Sequence, residues 1–449
     1  MHLNKLPIAI VGGGPVGLAA AAHLSIREET FVVLESGSRI ADNVRQWQHV
    51  SMFSPWKYNI DSASSIILKR HGWEVPKNNH LPTGEELITD YLLPLSETKE
   101  IKPFIKLNSE VVSVSRKRIS KLKDFGRENA PFVIRIRGAN GDEIIEARAV
   151  IDASGTWKTP KPAGADGLFA IGEEKLHKNV NYGIPDVLGI DQNRYANKTV
   201  AAIGGGHSAI NVLLELADLK KKADKMNLHW ILTKASVEDA YGGLDDDELP
   251  GRGSVGQRIK ELVDAGIVKA HAPFFVESME KVNEQIAIKG QSLKTNDVIH
   301  ADEIVVATGL KPNLDMLKEL RIAVDQRTES PVRLAPLIDP NIHSCGSVDP
   351  HGEAELRHPE KDFYIVGMKS YGRAPTFLLA TGYEQVRSVV AGLVGDWDGA
   401  KEVHLKLPET GVCGVPKAVD PNILEVESEM KSCCDSDPGE VIVKEKTEV

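Results

Sequence analysis

Two glycine-rich turns of the same kind occur far apart in the chain, GGGPVG at residues 12–17 and GGGHSA at residues 204–209. In such a turn the first glycine allows a tight strand-to-helix bend, the second lets backbone N–H groups approach a pyrophosphate, and a third small residue lets the helix pack on the strand. The N-terminus of the following helix adds unpaired N–H groups and the positive end of its dipole. Two such turns predict that one polypeptide binds two dinucleotides.

The first turn lies between elements that suit a nucleotide site. Residues 8–11 form an apolar run typical of a buried strand, residues 18–24 favour a helix, and a second apolar run at residues 31–34 ends at Glu35. Glu35 follows the turn at close to the ~20-residue spacing that places a carboxylate on a ribose hydroxyl. We therefore expect Glu35 to bind the ribose of the first dinucleotide.

The second turn is preceded by an apolar run at residues 199–203 and followed by a helical pattern at residues 209–219. The next strand pattern, residues 229–232, ends at Thr233 and Lys234, and no carboxylate stands at the position equivalent to Glu35. An acid there would repel a 2′-phosphate, whereas Lys234 would pair with one, so the sequence favours NADP(H) over NAD(H). The alternative is that Lys234 is an exposed loop lysine without a ligand.

Two further strand patterns resemble each other. Residues 149–153 lead into Ser154 and Gly155, and residues 304–308 lead into Gly309. A small residue followed by glycine at a strand end indicates that another backbone or a ligand passes close by. Between these landmarks the sequence predicts a polar loop at residues 36–82, a helix at residues 84–93, and strands at residues 110–114 and 132–137.

Composition limits the class of protein. A length of 449 residues fits two to three domains, and the net charge of −10 argues against a general nucleic-acid or anionic-membrane surface. No secretion signal or membrane-spanning apolar run is expected, and four cysteines are too few for a disulfide scaffold. We expect a cytoplasmic protein that acts on a small molecule, with no nucleic-acid or membrane partner. The oligomeric state stays open, with a homodimer as one option.

At this level of detail the chain resembles the two-dinucleotide flavoproteins, and among them the class B flavin-dependent monooxygenases more than the thioredoxin reductases. Over roughly residues 6–395, the matching pieces are GGGPVG with Glu35, the helix start at residues 82–83 with Tyr91 and Leu92 inside it, ASGTWKTPKP at 153–162, GGGHSA, and ATGLKPN at 307–313. More narrowly, YGGLDDDELPGRG at 241–253, VGMKSYGRAPTFLLATGYEQVR at 366–387 and LPETGVC at 407–413 are similar to flavoproteins encoded beside arsenic-resistance genes.

The resemblance implies an α/β fold with two Rossmann-like dinucleotide-binding domains, one for FAD and one for NADPH, the second inserted in the first. The implied FAD domain is discontinuous and covers residues 1–156 and 302–395, with the NAD(P)H domain at residues 157–301. Residues 396–449 form a C-terminal extension with an acidic tail, whose last part is expected to be disordered.

The resemblance and the motifs together give the candidate site residues. For FAD these are Gly12, Gly14, Pro15, Val16, Gly17, Glu35, Arg45, Trp47, Val112, Gly155, Met368 and Thr376. For NADPH they are Gly204, Gly206, His207, Ser208, Thr233, Lys234 and Gly309. A helix starting near residues 375–376 is implied to point its N-terminus at the flavin pyrimidine ring.

The chemistry itself belongs mainly to the flavin, so few catalytic side chains are expected. The candidates are Arg45, Trp47 and Arg373. The alternatives are that Trp47 is a packing aromatic and that the two arginines are ordinary surface charges.

The activity implied by the resemblance is NADPH-driven monooxygenation of a small soft nucleophile, with a trivalent arsenical preferred, through a C4a-peroxyflavin. One departure weakens the claim of a long-lived oxygen adduct: the aromatic and histidine fingerprint ahead of the second turn appears only loosely, as FAIG at residues 169–172 followed by His177 and Tyr182. The alternative enzyme is an NADPH-dependent flavin reductase or oxidase that inserts no oxygen.

Cysteine usage bears on a third hypothesis. The chain has no CxxC or CxxxxC pair, which dithiol reductases of this fold need beside the flavin. The vicinal pair Cys433 and Cys434 stands in the acidic tail, where adjacent thiols would suit capture of a soft metal or metalloid. A metalloid-binding or sensing flavoprotein is therefore an alternative, set against the simpler interpretation of a solvated tail.

Overall fold

The computed structural model describes residues 3–139, 141–242, 244, 250–293, 295–342, 351–375 and 377–405. The strands are β1 (Ile8–Val11), β2 (Phe31–Leu34), β3 (Ile105–Lys106), β4 (Ser109–Arg116), β5 (Phe132–Gly138), β6 (Gly141–Ala147), β7 (Ala149–Asp152), β8 (Val180–Tyr182), β9 (Thr199–Ile203), β10 (Asn227–Ile231), β11 (Val268–His271), β12 (Phe275–Val282), β13 (Gln285–Gln291), β14 (Asn296–Ala301), β15 (Glu303–Val306) and β16 (Phe363–Ile365). The α-helices are α1 (Pro15–Ile26), α2 (Asp42–Arg45), α3 (Ser62–Arg70), α4 (Gly84–Leu87), α5 (Leu93–Ser96), α6 (Gln192–Tyr195), α7 (His207–Lys220), α8 (Pro250–Asp264), α9 (Ala335–Ile338), α10 (Glu353–Leu356), α11 (Leu379–Leu393) and α12 (Trp397–Lys401).

The first domain is built on a parallel five-stranded sheet in the order β16-β7-β1-β2-β3. Every residue of β1 and β7 is buried, which explains why these strands read as continuous apolar runs rather than as alternating ones. Helices α1 and α11 pack together on this sheet. The carboxyl ends of β1, β7 and β16 therefore meet at one edge, where the first glycine turn begins.

The second domain has its own parallel sheet in the order β11-β10-β9-β15-β8. Strand β15 pairs with β9, so residues 303–306 lie in the second domain and not in the resumed first domain to which the sequence assigned them. The physical reason is register: Glu303 to Val306 align with Val200 to Ile203 and bury a shared apolar face.

In the part of the chain described here, no helix has the length and apolar character to cross a bilayer.

Each domain carries a three-stranded antiparallel sheet, β4-β5-β6 in the first and β12-β13-β14 in the second. The pairing of β4 with β5 shifts register between Val111 and Ser113, which leaves Val112 as a bulge residue.

The helix predicted at residues 84–93 is longer and less regular than expected. It runs through α4, a π-turn at Ile88–Leu92 and α5, because Pro94 has no N–H to donate to the preceding turn.

A buried charge cluster fastens the β4-β5-β6 sheet to the segment before β16. The Glu360 carboxylate accepts hydrogen bonds from Arg116 Nε at 2.8 Å, Arg127 Nη2 at 2.6 Å and the backbone N–H of Arg321 at 2.9 Å. Burial opposes ionisation of Glu360, but the hydrogen bonds from Arg127, the Arg321 backbone and Arg116 outweigh it and lower its pKa. The cluster therefore holds Val112 and its sheet at a fixed position beside the main sheet.

Glu215, on α7, provides a test of electrostatics in the second domain. Burial, with the Asp186 carboxylate adding to it, raises the pKa of Glu215 from 4.5 to about 7, and its Oε2 atom has no hydrogen-bond partner among the described residues. The raised pKa means that the folded state holds the proton more tightly than the unfolded state does. The contribution of Glu215 to the free energy of unfolding therefore falls as the pH rises from about 4.5 to 7. Glu215→Gln should be more stable than wild type at pH 8 by about 1 kcal/mol in urea unfolding. A gain that stays the same at pH 4.5 would contradict this cause.

Candidate functional site

The first glycine turn is held against the end of β7. Gly12 has a φ of +101°, and a Cβ atom added there would lie 2.8 Å from the Ala153 carbonyl oxygen. A Cβ on Gly17 would lie 2.0 Å from the Gly12 carbonyl oxygen, so α1 packs directly on the turn. Both positions thus need glycine for the reasons expected from the sequence.

The face of this turn that points away from the protein is open. Gly14 is the N-cap residue of α1, Pro15 is in its first turn, and a Cβ on Gly14 would meet no atom within 4 Å. Gly155 has a φ of +71° and the same open surroundings. The Val16 side chain faces Gly367 after β16, since a Cβ added to Gly367 would lie 3.2 Å from a Val16 methyl carbon. An open helix N-terminus with free backbone N–H groups is suited to a pyrophosphate.

Glu35 lies at the end of β2 with its carboxylate buried beside the turn. One oxygen accepts the Gly13 N–H at 2.8 Å and the other accepts the Gly37 N–H at 2.7 Å. The oxygen bonded to Gly37 also accepts from the Ser36 hydroxyl at 3.3 Å, whereas the oxygen bonded to Gly13 has a second lone pair that a ribose hydroxyl can use. The structure brings Glu35 and the glycine turn together as the spacing predicted.

The second turn repeats the geometry of the first. Gly204 has a φ of +140°, and a Cβ there would lie 2.3 Å from the Ala307 carbonyl oxygen at the end of β15. Gly206 is the N-cap of α7, with no atom within 4 Å of an added Cβ, and α7 begins at His207. Ser208 is exposed in the first turn of this helix, and Gly309 is exposed with a φ of +102°. Two equivalent cradles therefore stand at the carboxyl ends of two separate parallel sheets.

Lys234 lies where the sequence placed it, after β10 and beside the second turn. Its Cε atom would be 3.1 Å from a Cβ on Gly205, and its Nζ donates to the Asp239 carbonyl oxygen at 2.6 Å. Thr233 precedes it and is exposed. The ammonium group thus stands next to the turn on the side where the second strand ends, as a 2′-phosphate contact requires.

A cluster of unpartnered polar atoms lies in the segment after Glu35, and the sequence pointed to only part of it. Among the described residues, Asn43 Oδ1, Arg45 Nε and His49 Nε2 are buried without a hydrogen-bond partner. Buried polar atoms without partners are costly, so these three atoms need hydrogen bonds from water or from a bound ligand. Arg45 was a candidate, whereas Asn43 and His49 carry no local motif that singles them out.

Aromatic side chains connect this segment to the second domain. The Trp47 ring lies 6.5 Å from that of Trp157, whose Nε1 donates to Gln46 Oε1 at 2.8 Å. The Trp47 ring also lies over Gly84 of α4, since a Cβ added to Gly84 would be 2.9 Å from a Trp47 ring carbon. The Phe53 ring lies 6.0 Å from the His207 ring, which brings the first-domain loop to the start of α7. Packing is thus the observed role of Trp47.

The segment after β16 departs from expectation in two places. Met368, a candidate FAD contact, is half-buried in a 3-10 turn, Gly367–Tyr371. Arg373 forms an ion pair with Glu329, with Nε to Oε2 at 2.8 Å, so its guanidinium is already engaged. The helix expected from residues 375–376 begins instead at Leu379, because Leu378 is extended with φ −108° and ψ 147°.

Three of the predicted site residues cannot be placed. Thr376, Cys433 and Cys434 lie outside the described residues, as does most of the C-terminal extension.

The structure also reveals a buried ion pair that no motif indicated. Lys369 Nζ lies 2.7 Å from Asp152 Oδ2 and donates to Ser154 Oγ at 3.1 Å, with both charged side chains almost fully buried.

The geometry fits two dinucleotides. Each turn pairs a glycine of positive φ, held against a strand end, with an open helix N-terminus, and the first turn adds the buried Glu35 carboxylate. The assignment of FAD to the first turn and of NADPH to the second stays a prediction from the sequence. Oxidation and reduction would come from these two groups, and the chain supplies binding and orientation.

Comparison with known proteins agrees with these two cofactors. The family model for the pyridine nucleotide-disulphide oxidoreductases matches residues 9–334. A ferredoxin–NADP reductase of Ligilactobacillus salivarius is 23% identical over 378 residues, which cover 83% of this chain and 89% of that protein. The Arabidopsis thaliana flavin-containing monooxygenase FMO GS-OX-like 2 is 22% identical over 264 residues, 53% of this chain, and the chain spans about half, 51%, of its length.

Among solved structures, the bacillithiol disulfide reductase Bdr of Bacillus cereus superposes with a TM-score of 0.64 at 18% identity. The match covers 87% of this chain and 99% of that one, which shows a shared fold. The chain therefore belongs to the pyridine nucleotide-disulphide oxidoreductase family and is an FAD-dependent pyridine-nucleotide oxidoreductase.

Proposed function

We propose that this protein is an NADPH-using monooxygenase that oxidises a small soft nucleophile at sulfur, nitrogen or arsenic. The observation that carries the proposal is the pair of clamped dinucleotide turns in a chain that has no CxxC or CxxxxC pair. Without a CxxC or CxxxxC pair, the chain lacks the dithiol spacings through which reductases of this fold take electrons from the flavin. The Arabidopsis relative is a flavin-containing monooxygenase, which supports oxygen insertion as the outcome.

In the proposed reaction, NADPH, a proton, oxygen and the substrate give NADP⁺, water and the oxygenated substrate. When bound, the flavin supplies the hydride acceptor and the oxygen-activating centre. The chain's own residues act by position: the N-terminus of α1 and Glu35 hold one dinucleotide, while the N-terminus of α7 and Lys234 hold the other. The contact between Phe53 and His207 brings the two domains together where the second dinucleotide would enter.

The preferred substrate is a trivalent arsenical, and sequence alone supports this choice. The segments at residues 241–253, 366–387 and 407–413 are the ones similar to flavoproteins encoded beside arsenic-resistance genes. None of the three relatives described above is named for an activity on arsenic. Thioethers and primary amines are therefore the comparison substrates.

The test is reaction stoichiometry with the purified FAD-loaded protein. Oxygen uptake, NADPH oxidation, hydrogen peroxide and product are measured together with an arsenite or organoarsenical, a thioether and an amine. A monooxygenase should show oxygen and NADPH consumption that rises with one of these substrates and matches the oxygenated product one to one. Consumption that is independent of all substrates and ends as hydrogen peroxide would contradict the proposal.

The second candidate is an NADPH-driven reductase that passes electrons to an external acceptor. The match to the Ligilactobacillus reductase, which covers most of both chains, favours it. Under anaerobic conditions this candidate should reduce a ferredoxin or ferricyanide rapidly, with no oxygenated product formed in air. The same preparations therefore distinguish the two activities.

Nucleotide preference gives a prediction for either activity. Lys234→Gln should raise the KM for NADPH about tenfold, because a charge-assisted hydrogen bond to phosphate contributes ~1.5 kcal/mol or more, while the KM for NADH should change little. The control is Lys221→Gln, which removes an exposed lysine paired with Asp218 at the end of α7. Equal losses with both nucleotides would show that Lys234 shapes the turn and does not read the 2′-phosphate.

A further inference from the structure

A cavity of about 510 Å³ lies beside the two connections between the domains. These connections form a short ribbon: Pro160 and Leu310 pair as an antiparallel bridge, and the Lys311 N–H donates to the Thr159 carbonyl oxygen at 3.0 Å. Thr159 Oγ1 in turn donates to the Lys311 carbonyl oxygen at 2.5 Å. Thr159 and Lys311 both line the cavity, so one wall of the cavity is the ribbon itself.

The lining of this cavity is cationic in a chain whose net charge is −10. Its charged residues are Lys121, Lys311, Lys318, Arg373, Asp315 and Glu329. The two carboxylates are already engaged, Asp315 with Lys318 at 2.7 Å and Glu329 with Arg373 at 2.8 Å. Lys121 and Lys311 are left as positive charges that no carboxylate of the lining neutralises.

The surroundings of these two lysines support an excess of positive charge. Lys121 Nζ donates to the Lys318 carbonyl oxygen at 3.0 Å, which is a neutral acceptor, while the Glu319 carboxylate accepts the Lys121 backbone N–H at 3.3 Å and not the ammonium group. The ammonium group of Lys311 has no hydrogen bond or ion pair in the described ranges of the chain. Next to the ribbon, burial and the nearby Arg373 lower the pKa of Lys161 despite the opposing effect of Glu329. Cations crowded in this way favour a bound anion.

We propose that this cavity binds a small anion that carries a carboxylate or phosphate group, with Lys121 and Lys311 as its main contacts. The volume lies in the range of small-molecule sites, and Leu314, Leu317 and Ile322 add an apolar wall for a carbon skeleton. No lining residue belongs to either glycine turn. Of the candidate residues named from the sequence, only Arg373 also lines the cavity, and it is paired with Glu329. The two proposed anion contacts, Lys121 and Lys311, are not among those candidates, so the proposal goes beyond the proposed function.

The position of the cavity gives such binding a consequence. Lys311 belongs to the ribbon that joins the domains, whereas Lys121 lies between β4 and β5 of the first domain. An anion held by both lysines fixes the ribbon against the first domain. Because a ligand shifts an equilibrium toward the arrangement it binds better, the anion would favour one orientation of the two domains.

The test uses the FAD-loaded protein without nucleotide. Inorganic phosphate and malonate are titrated by calorimetry against sodium chloride at matched ionic strength. We expect saturable binding of at least one of the two probes, and the tighter one identifies phosphate or carboxylate as the preferred group. Lys311→Gln and Lys121→Gln should each weaken that binding about tenfold, and Lys311→Arg should retain it. Lys401→Gln, which removes an exposed lysine on α12, should bind as wild type does.

Three outcomes would overturn the proposal. One is the lack of saturable binding by either probe at matched ionic strength. Another is wild-type affinity in both Lys311→Gln and Lys121→Gln, provided that circular dichroism shows them to be folded. The third is loss of probe binding when NADP⁺ is added at saturation, since this would place the anion in the dinucleotide site.

Discussion

Replacement of Gly12 by alanine should lower the free energy of unfolding by about 2–4 kcal/mol and leave the purified protein without FAD. Gly12 has a φ of +101°, in the left-handed region that disfavours residues with a Cβ. The added Cβ would also stand 2.8 Å from the Ala153 carbonyl oxygen and 3.0 Å from the Ser154 Cα. Both neighbours are backbone atoms, so no side-chain rotation relieves the contact.

Gly14→Ala is the matched control, because it separates the fold from the cofactor. Gly14 has a φ of −84°, which alanine adopts without strain, and its added Cβ would meet no protein atom within 4 Å. The free energy of unfolding of the apoprotein should stay within about 0.5 kcal/mol of wild type. Its methyl group would, however, stand in the open space in front of α1, so FAD affinity should fall at least about tenfold.

The two variants are compared by urea unfolding of the apoproteins and by fluorescence titration with FAD. The expected pattern is that Gly12→Ala loses both stability and flavin, while Gly14→Ala loses flavin alone. Wild-type stability of the Gly12→Ala apoprotein would show that the clamp between the turn and β7 does not require glycine. Undiminished FAD binding by Gly14→Ala would place the pyrophosphate elsewhere.

The sequence predicted these turns well because their requirements are local. A glycine at a strand end, a helix after it and an acid about 20 residues later are all visible in one stretch of chain. Gly12, Gly17 and Glu35 accordingly stand where the pattern placed them, and Gly204 repeats the arrangement. The same holds for β1 and β2, which are short apolar runs. The edge strands β3, β8 and β11 contain polar residues, and the sequence did not predict them.

Features that depend on distant pairing could not be predicted in the same way. Strand β15 joins the second sheet by aligning with β9, about 100 residues earlier in the chain, which apolar patterning does not specify. The start of α11 at Leu379 depends on the extended backbone of Leu378, which the proline at residue 375 does not reveal. The unpartnered atoms of Asn43 and His49 likewise follow from burial, which no motif encodes.

The second large effect is expected at the ion pair between Lys369 and Asp152, which are 217 residues apart in sequence. The side chains are 2% and 0% exposed, and the pair joins the carboxyl end of β7 to the turn after β16. Ser154 completes the group, since its hydroxyl donates to Asp152 Oδ1 at 2.6 Å and accepts from Lys369. Removal of one charge leaves the other buried without its counter-ion.

Lys369→Met should therefore lower the free energy of unfolding by about 3–5 kcal/mol. Asp152→Asn should be of similar severity, because it leaves the ammonium group unpaired. The effect should reach the first glycine turn, since Ala153, directly after Asp152, is the residue whose carbonyl clamps Gly12. FAD retention should accordingly fall in both variants.

A double-mutant cycle decides whether the pair acts as a unit. If it does, Lys369→Met combined with Asp152→Asn should be less destabilised than the sum of the single variants, by about 2 kcal/mol or more, since neither charge is then left alone. The exposed pair of Lys260 and Asp264, at 2.6 Å, is the control, and the same cycle there should show no measurable coupling. Additive losses at Lys369 and Asp152 would mean that each side chain packs independently. The ion pair would then be a consequence of the fold. It would not be one of the contacts that hold the carboxyl end of β7 against the turn after β16.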